Sequence, residues 1–258
     1  MSAKPSGFIW YELHTTDSTA AAAFYAAVIG WTAADSGVPG MSYQLLSMGD
    51  TNVGGLLELS DDATTSGALP TWLGYLNVES VDDAVASAVA AGASIHMPAM
   101  DVPTVGRMAL IADPEGTQIY LMTPTGEGES PVFSMDAVGH CTWNELHAHD
   151  GKAMETFYSG QFSWEVSHEM DMGPGGTYVM LTTGNGQGTA GMFTDTGTVT
   201  PCWMYYFRVT DLDAAIAKVS DNGGKVTKEP SQVPGGDFMV HARDPQGAAF
   251  GLVGPRAE

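Results

Sequence analysis

The chain has 258 residues, 44% hydrophobic and 15% charged, which is enough apolar content to bury a core or two and too much for a disordered chain. Nine Lys and Arg face thirty Asp and Glu, a net charge of −21, so the surface repels phosphate backbones and anionic lipids and argues against nucleic acid and membranes as partners. No apolar run approaches the roughly 18 residues of a membrane span, and "MSAKPSGFIWYEL" has no signal-peptide core; a cytoplasmic protein is expected, with Cys141 and Cys202 as separate reduced thiols.

The first predicted element is a strand from Phe8 to Thr15, followed by Asp17 as N-cap of a helix through "TAAAAFYAAVIGW". Strand-like "YQLLSM" and "VGGLLEL" come next, then a Pro-containing loop and the strand "WLGYLNV". Asp82 is expected to open the helix "DDAVASAVAAG", which Gly92 ends. "RMALIADPEGTQIYLM" supplies two strands around an Asp-Pro turn. The order of elements is therefore strand, helix, strands, and the same again.

The second half then repeats the first. Trp10, Glu12, Leu13, His14, Asp17, Phe24, Tyr25 and Trp31 match Trp143, Glu145, Leu146, His147, Asp150, Phe157, Tyr158 and Trp164 at one offset, 143 − 10 = 133. "WLGYLNVESVDDAV" from Trp72 matches "WMYYFRVTDLDAAI" from Trp203, and "DPEG" from Asp113 matches "DPQG" from Asp244, both at 131 (203 − 72, 244 − 113). So long a period means duplicated domains rather than short solenoid units. The segment "TPTGEGESPVFSMDAVG", Thr123 to Gly139, reads as the connection.

The "FY…GW" signature after each Asp cap, the "V-x-x-V/L-D" entry to the next helix and "DPxG" before the last strand resemble the vicinal oxygen chelate superfamily, which includes glyoxalase I, bleomycin-resistance proteins and extradiol dioxygenases. The resemblance covers nearly the whole chain. It implies an α+β fold of two tandem glyoxalase-like domains, 1–124 and 139–258, joined by a linker at 125–138. Each domain would have two βαβββ units forming a curved, cup-shaped mixed sheet flanked by helices, with the ligand inside. It also implies metal positions on the first, fourth, fifth and eighth strands. Counted from the motifs, the first position falls on Trp10 and Trp143, the fifth-strand one on Leu73 and Met204, and the eighth-strand one on Tyr120 and Gly251. None of these ligates a divalent cation well. Glu58 is the one carboxylate at a fourth-strand position, opposite Thr194. No cofactor is therefore expected, and zinc, nickel or iron would need a non-standard site.

Strand alternation places Trp10, Glu12 and His14 on the cup side of the first strand, and Trp143, Glu145, His147 and His149 on that of its repeat. Tyr75, Asn77 and Tyr120 join the first wall, Tyr206 and Arg208 the second. An aromatic wall with a few polar groups suits a small molecule. Trp10 and Trp143 also fit as plugs, with the Glu residues as structural ties. A carboxylate withdrawn from water is costly without partners, so Glu12, His14, Glu145 and His147 are the candidates for proton handling or catalysis. The parity of His241 is open, and "GNGQG" at Gly184 and "GPGG" at Gly173 read as a hairpin turn and a loop.

The expected function is binding of a small aromatic or carbonyl-containing metabolite by a monomer or homodimer, without the family's usual metal. The alternatives are a lyase, isomerase or dioxygenase-like enzyme using Glu and His, or one with a metal in a rearranged shell. The differences Tyr120 against Gly251 and Asn77 against Arg208 predict unequal cups.

Overall fold

The computed structural model describes residues 7–38, 42–126, 128–173, 176–182, 188–194 and 200–256. Its first half runs β1 (Phe8–Thr15), α1 (Ser18–Val28), β2 (Thr32–Asp35), β3 (Tyr43–Met48), β4 (Thr51–Glu58), α2 (Asp61–Thr65), β5 (Thr71–Asn77), α3 (Val81–Ala90), β6 (Ser94–Val102), β7 (Gly106–Ala112) and β8 (Gln118–Pro124). Its second half runs β9 (Cys141–Ala148), α4 (Gly151–Phe162), β10 (Glu165–Asp171), β11 (Thr177–Thr182), β12 (Gly188–Thr194), β13 (Cys202–Arg208), α5 (Leu212–Asp221), β14 (Lys225–Gln232), β15 (Phe238–Arg243) and β16 (Ala249–Gly254).

Each half builds one eight-stranded sheet, ordered β2-β3-β4-β1-β5-β8-β7-β6 and β10-β11-β12-β9-β13-β16-β15-β14. The strand order is the same in both. The sheets are mixed: β1 with β4, β5 with β8, β9 with β12 and β13 with β16 are parallel, while the outer pairs are antiparallel. This is the tandem α+β architecture of curved sheets expected from the sequence. Among the described residues no helix is long and apolar enough to cross a membrane.

Local chemistry explains the helix starts. Asp17 and Asp150 accept from Ala20 and Ala153 N–H at 2.8 and 2.9 Å, and Asp211 accepts from Ala214 at 2.9 Å. α3 begins one residue before Asp82, because Ser80 is the cap, accepting from Asp83 N–H at 3.3 Å. Asp82 instead faces out and pairs with Arg107 at 2.8 Å. The loop before β5 contains the short helix α2, capped by Ser60. The turn "GNGQG" lies at 184–188 and, apart from Gly188, which opens β12, is outside the described residues; of "GPGG", 174 and 175 are outside them too.

The motifs that revealed the duplication meet as two buried triads. Trp72 Nε1 donates to the Tyr25 hydroxyl at 2.8 Å, which donates to Asp244 Oδ2 at 3.2 Å. Trp203 Nε1 likewise donates to Tyr158 at 3.0 Å, and Tyr158 donates to Asp113 at 3.0 Å. The other oxygen of each Asp holds its own Asp-Pro turn, accepting from Glu115 and Thr117 N–H, or from Gln246 and Ala248 N–H. Burial raises both carboxyl groups above the usual range. Each half thus contributes a Trp and a Tyr to one triad and an Asp to the other.

Candidate functional site in the second sheet

On β1 and β9 the alternation is as expected. Tyr11, Leu13 and Thr15 are fully buried on one face, as is Leu146 in the repeat, while Trp10, His14, Trp143 and His147 on the other are half-buried. Glu12 and Glu145 share that second face at 5% and 9% exposure, unusually low for carboxylates. His14 Nε2 lies 2.8 Å from Glu12 Oε1, and His147 Nε2 lies 2.9 Å from Glu145 Oε1. Two positions along a strand span about 6.8 Å, so each imidazole folds back to reach its carboxylate. His149, past the end of β9, is exposed; its N–H and that of Asp150 both donate to Glu115 at 2.7 Å.

Two tyrosines absent from the sequence reading join these faces, one on Glu145 and the other on Trp10. Tyr178 donates to Glu145 Oε2 at 2.8 Å, and Trp10 Nε1 donates to the Tyr43 hydroxyl at 2.8 Å. Both reach diagonally across a glycine. Tyr178 pairs with Phe193 and Met180 with Gly191; Tyr43 pairs with Leu57 and Leu45 with Gly55. A Cβ on Gly191 or Gly55 would fall on the tyrosine hydroxyl. A glycine inside a strand here marks a close approach rather than a bend.

The two sheets differ at β5–β8 and β13–β16. Tyr75 pairs with Tyr120 in register, and the rings stack at 4.2 Å between centroids, both nearly buried. Tyr206 pairs instead with Gly251, where a Cβ would fall in the Tyr206 ring. Tyr206 can therefore lie across that strand, and its hydroxyl sits 2.6 Å from His241 Nε2. His241 pairs with Gly251 between the fully buried Val240 and Ala242, so it points to the same face as Tyr206. That settles its parity. The corresponding first-half residue, Leu110, pairs with Tyr120.

Of the other expected wall residues, Trp143 packs on the cluster of Met204, Tyr206 and Val253. Arg208 Nη1 lies 2.8 Å from Asp237 Oδ2. Asn77 is half-buried at the end of β5, where its backbone N–H donates to Gly7. Glu58, at the fourth-strand position, accepts from the N–H of Ser18 at 3.1 Å and from its hydroxyl, so it closes the first turn of α1.

The second sheet also carries a donor set that the counted positions missed. One ligand atom each of Glu145, His147 and His241 lies within 4.8 Å of the others. One carboxylate and two imidazoles are a donor set that suits zinc, iron(II), nickel or manganese. None of the three occupies a position counted from the family pattern. The parity of His241 is open in the sequence because both faces of "FMVHAR" carry apolar residues and the alternation does not choose between them.

A tandem pair of eight-stranded mixed sheets of the same strand order, with acid, imidazole and phenol on one face, defines a glyoxalase-like class. The chain belongs to the Glyoxalase/Bleomycin resistance protein/Dioxygenase superfamily, whose family model matches residues 7–121 and 137–252. It is 31% identical over 248 residues to "Putative glyoxylase CFP32" of Mycobacterium tuberculosis, covering 95% of this chain and 94% of that one. It is 28% identical over 266 residues to the anthracycline biosynthesis protein DnrV of Streptomyces peucetius, with 96% and 93% covered. In fold it resembles the Mn(II)-bound glyoxalase from Novosphingobium aromaticivorans (TM-score 0.67, 16% identity, 99% of this chain and 84% of that one). It also resembles homoprotocatechuate 2,3-dioxygenase from Brevibacterium fuscum (TM-score 0.66, 15% identity, 99% and 82%).

Proposed function

We propose that the second cup binds a small aromatic or carbonyl-containing molecule and that Glu145 and His147 handle a proton on it. The observation that carries this reading is a nearly buried carboxylate held from two sides, by Tyr178 at 2.8 Å and His147 at 2.9 Å. Withdrawing a carboxylate from water costs several kcal/mol unless it is partnered, and a strand has no intrinsic need of one. Tyr178 and His147 supply the partners, and Gly191 supplies the room. With a bound carbonyl compound, Glu145 accepts the proton from the carbon beside the carbonyl, leaving the electron pair on the carbonyl oxygen as an enolate. Either His147 protonates the oxygen, giving the enol, or, where a C=C bond is conjugated with the enolate, Glu145 returns the proton to the far carbon of that bond. The first cup, where Tyr75 and Tyr120 stack against each other, has the weaker claim.

A second reading is favoured by the clustering of Glu145, His147 and His241. These three residues would hold a divalent cation, which when bound would act as a Lewis acid on a carbonyl or enolate oxygen. The names of the glyoxalase and dioxygenase relatives are compatible with it.

One measurement separates the readings, and a second tests both. Metal analysis of full-length, tag-free protein should find about one tightly held divalent ion per chain, lost in His241→Ala, if the second reading holds. Binding of neutral aromatic ketones, followed by tryptophan fluorescence, should weaken at least tenfold in Glu145→Gln whichever reading holds. Unchanged affinity together with unchanged proton exchange at the carbon beside the carbonyl would overturn both.

A further inference from the structure

With nine basic residues against thirty acidic ones, a cation withdrawn from the surface needs a reason other than solubility. Arg208 is such a cation, its side chain 22% exposed. It ends β13, where Tyr205 and Phe207 are fully buried on one face, so Met204, Tyr206 and Arg208 share the other with the Tyr206–His241 pair.

Three features mark Arg208 as available to a ligand. A guanidinium carries five N–H donors in a fixed fork, and among the described residues Asp237 is its one acidic partner, with Oδ2 2.8 Å from Nη1. That partner stands on the turn between β14 and β15, just after Gly235 and Gly236 at φ +99° and +98°, a turn closed by Val233 N–H to Asp237 O. The fold does not require a cation at this place, because the same register position in the first sheet holds Asn77.

We propose that Arg208 anchors the anionic group of the ligand in the second cup, a carboxylate or a similar planar anion, and that Asp237 holds the guanidinium until that ligand arrives. The inference rests on the small-molecule reading of this cup and adds its charge class. A free carboxylate in the cup can engage both arms of the fork, and bidentate pairs are stronger and more directional than single contacts. Arg208 is then the residue that makes the two cups select different ligands.

The test uses full-length protein and pairs of isosteres, phenylacetate with phenylacetamide and benzoylformate with its amide. Tryptophan fluorescence reports binding, since Trp143 packs on Tyr206 two positions from Arg208. The acids are expected to bind at least tenfold more tightly than the amides. Arg208→Gln should abolish that preference while leaving amide binding in place, and Asp237→Asn should tighten acid binding by removing the competitor. Acid binding that is unaffected by Arg208→Gln, or weakened by Asp237→Asn, overturns the anchor while the cup still stands through amide binding. Failure of every acid and amide to bind the unaltered protein overturns the anchor and the small-molecule reading together.

Discussion

Substituting Gly191 by Ala tests whether the site is built on a missing side chain. The added Cβ would fall on the Tyr178 hydroxyl and ring, so the ring must leave Glu145. Losing a hydrogen bond to a charged group costs about 1.5–3 kcal/mol, and overpacking adds about 1–3. Ala is slightly better than Gly in a strand, recovering roughly 0.5–1 kcal/mol. The expected net loss is about 1.5–5.5 kcal/mol, a fall in Tm of roughly 3–22 °C for a chain of this size. Tyr178→Phe, which removes the hydroxyl alone, should cost about 1.5–3 kcal/mol. The decisive assay is a double-mutant cycle by urea unfolding, because Tyr178→Ala removes the group that the new Cβ strikes. Gly191→Ala should therefore cost little in the Tyr178→Ala background. Equal penalties in both backgrounds would refute the close approach.

Glu58→Ala should cost about 1 kcal/mol in urea unfolding, as loss of a helix N-terminal partner does, with the bound-metal content of the protein unchanged; metal loss would return Glu58 to a ligand role. The buried Asp113 and Asp244 have carboxyl groups raised by burial, so their contribution to stability is fully present below the unfolded pKa and lost as pH rises through the folded one. The stability of the unaltered protein relative to Asp113→Asn should accordingly grow as pH falls into the carboxylate range; a flat difference across pH refutes this. Trp203→Phe removes the 3.0 Å bond to Tyr158 and should cost about 1 kcal/mol beyond the lost ring area, measured against the same change in a Tyr158→Phe background. Burial pushes the Cys141 thiol up to about 12, so a thiol reagent at neutral pH should label it only on unfolding; rapid native labelling would show that it is accessible.

Much of the fold was legible because it is written twice in local code. Asp17 and Asp150 announce helices, and the period-two burial of β1 and β9 places Glu12, His14, Glu145 and His147 on one face. The edges were harder to read. β2 is exposed throughout and offers no alternation, and β6 is exposed at most positions, with register shifts against β7. Tyr43 and Tyr178 had a repeated signal too, a Tyr near the start of one strand and a Gly within the next. Their meeting depends on the diagonal register, which pairs Tyr178 with Phe193 and so leaves the gap at Gly191 two positions away. Sequence order does not reveal that register.

The residues shared by the two halves therefore do two separate jobs. Trp72, Tyr25 and Asp244, and Trp203, Tyr158 and Asp113, form ties in which each half supplies the acid for the other's tyrosine. A change in one such residue strands a buried carboxylate or hydroxyl, which costs about 1–3 kcal/mol wherever it occurs, so both copies are held to the same chemistry. The cups carry no such reciprocal constraint. Exchanging Tyr120 for Gly251 across the duplication frees Tyr206 to reach His241, while Tyr75 remains stacked. One glycine thus converts a filled wall into a polar one, and it leaves the second cup as the place where chemistry or recognition can develop without loosening the ties that hold the fold.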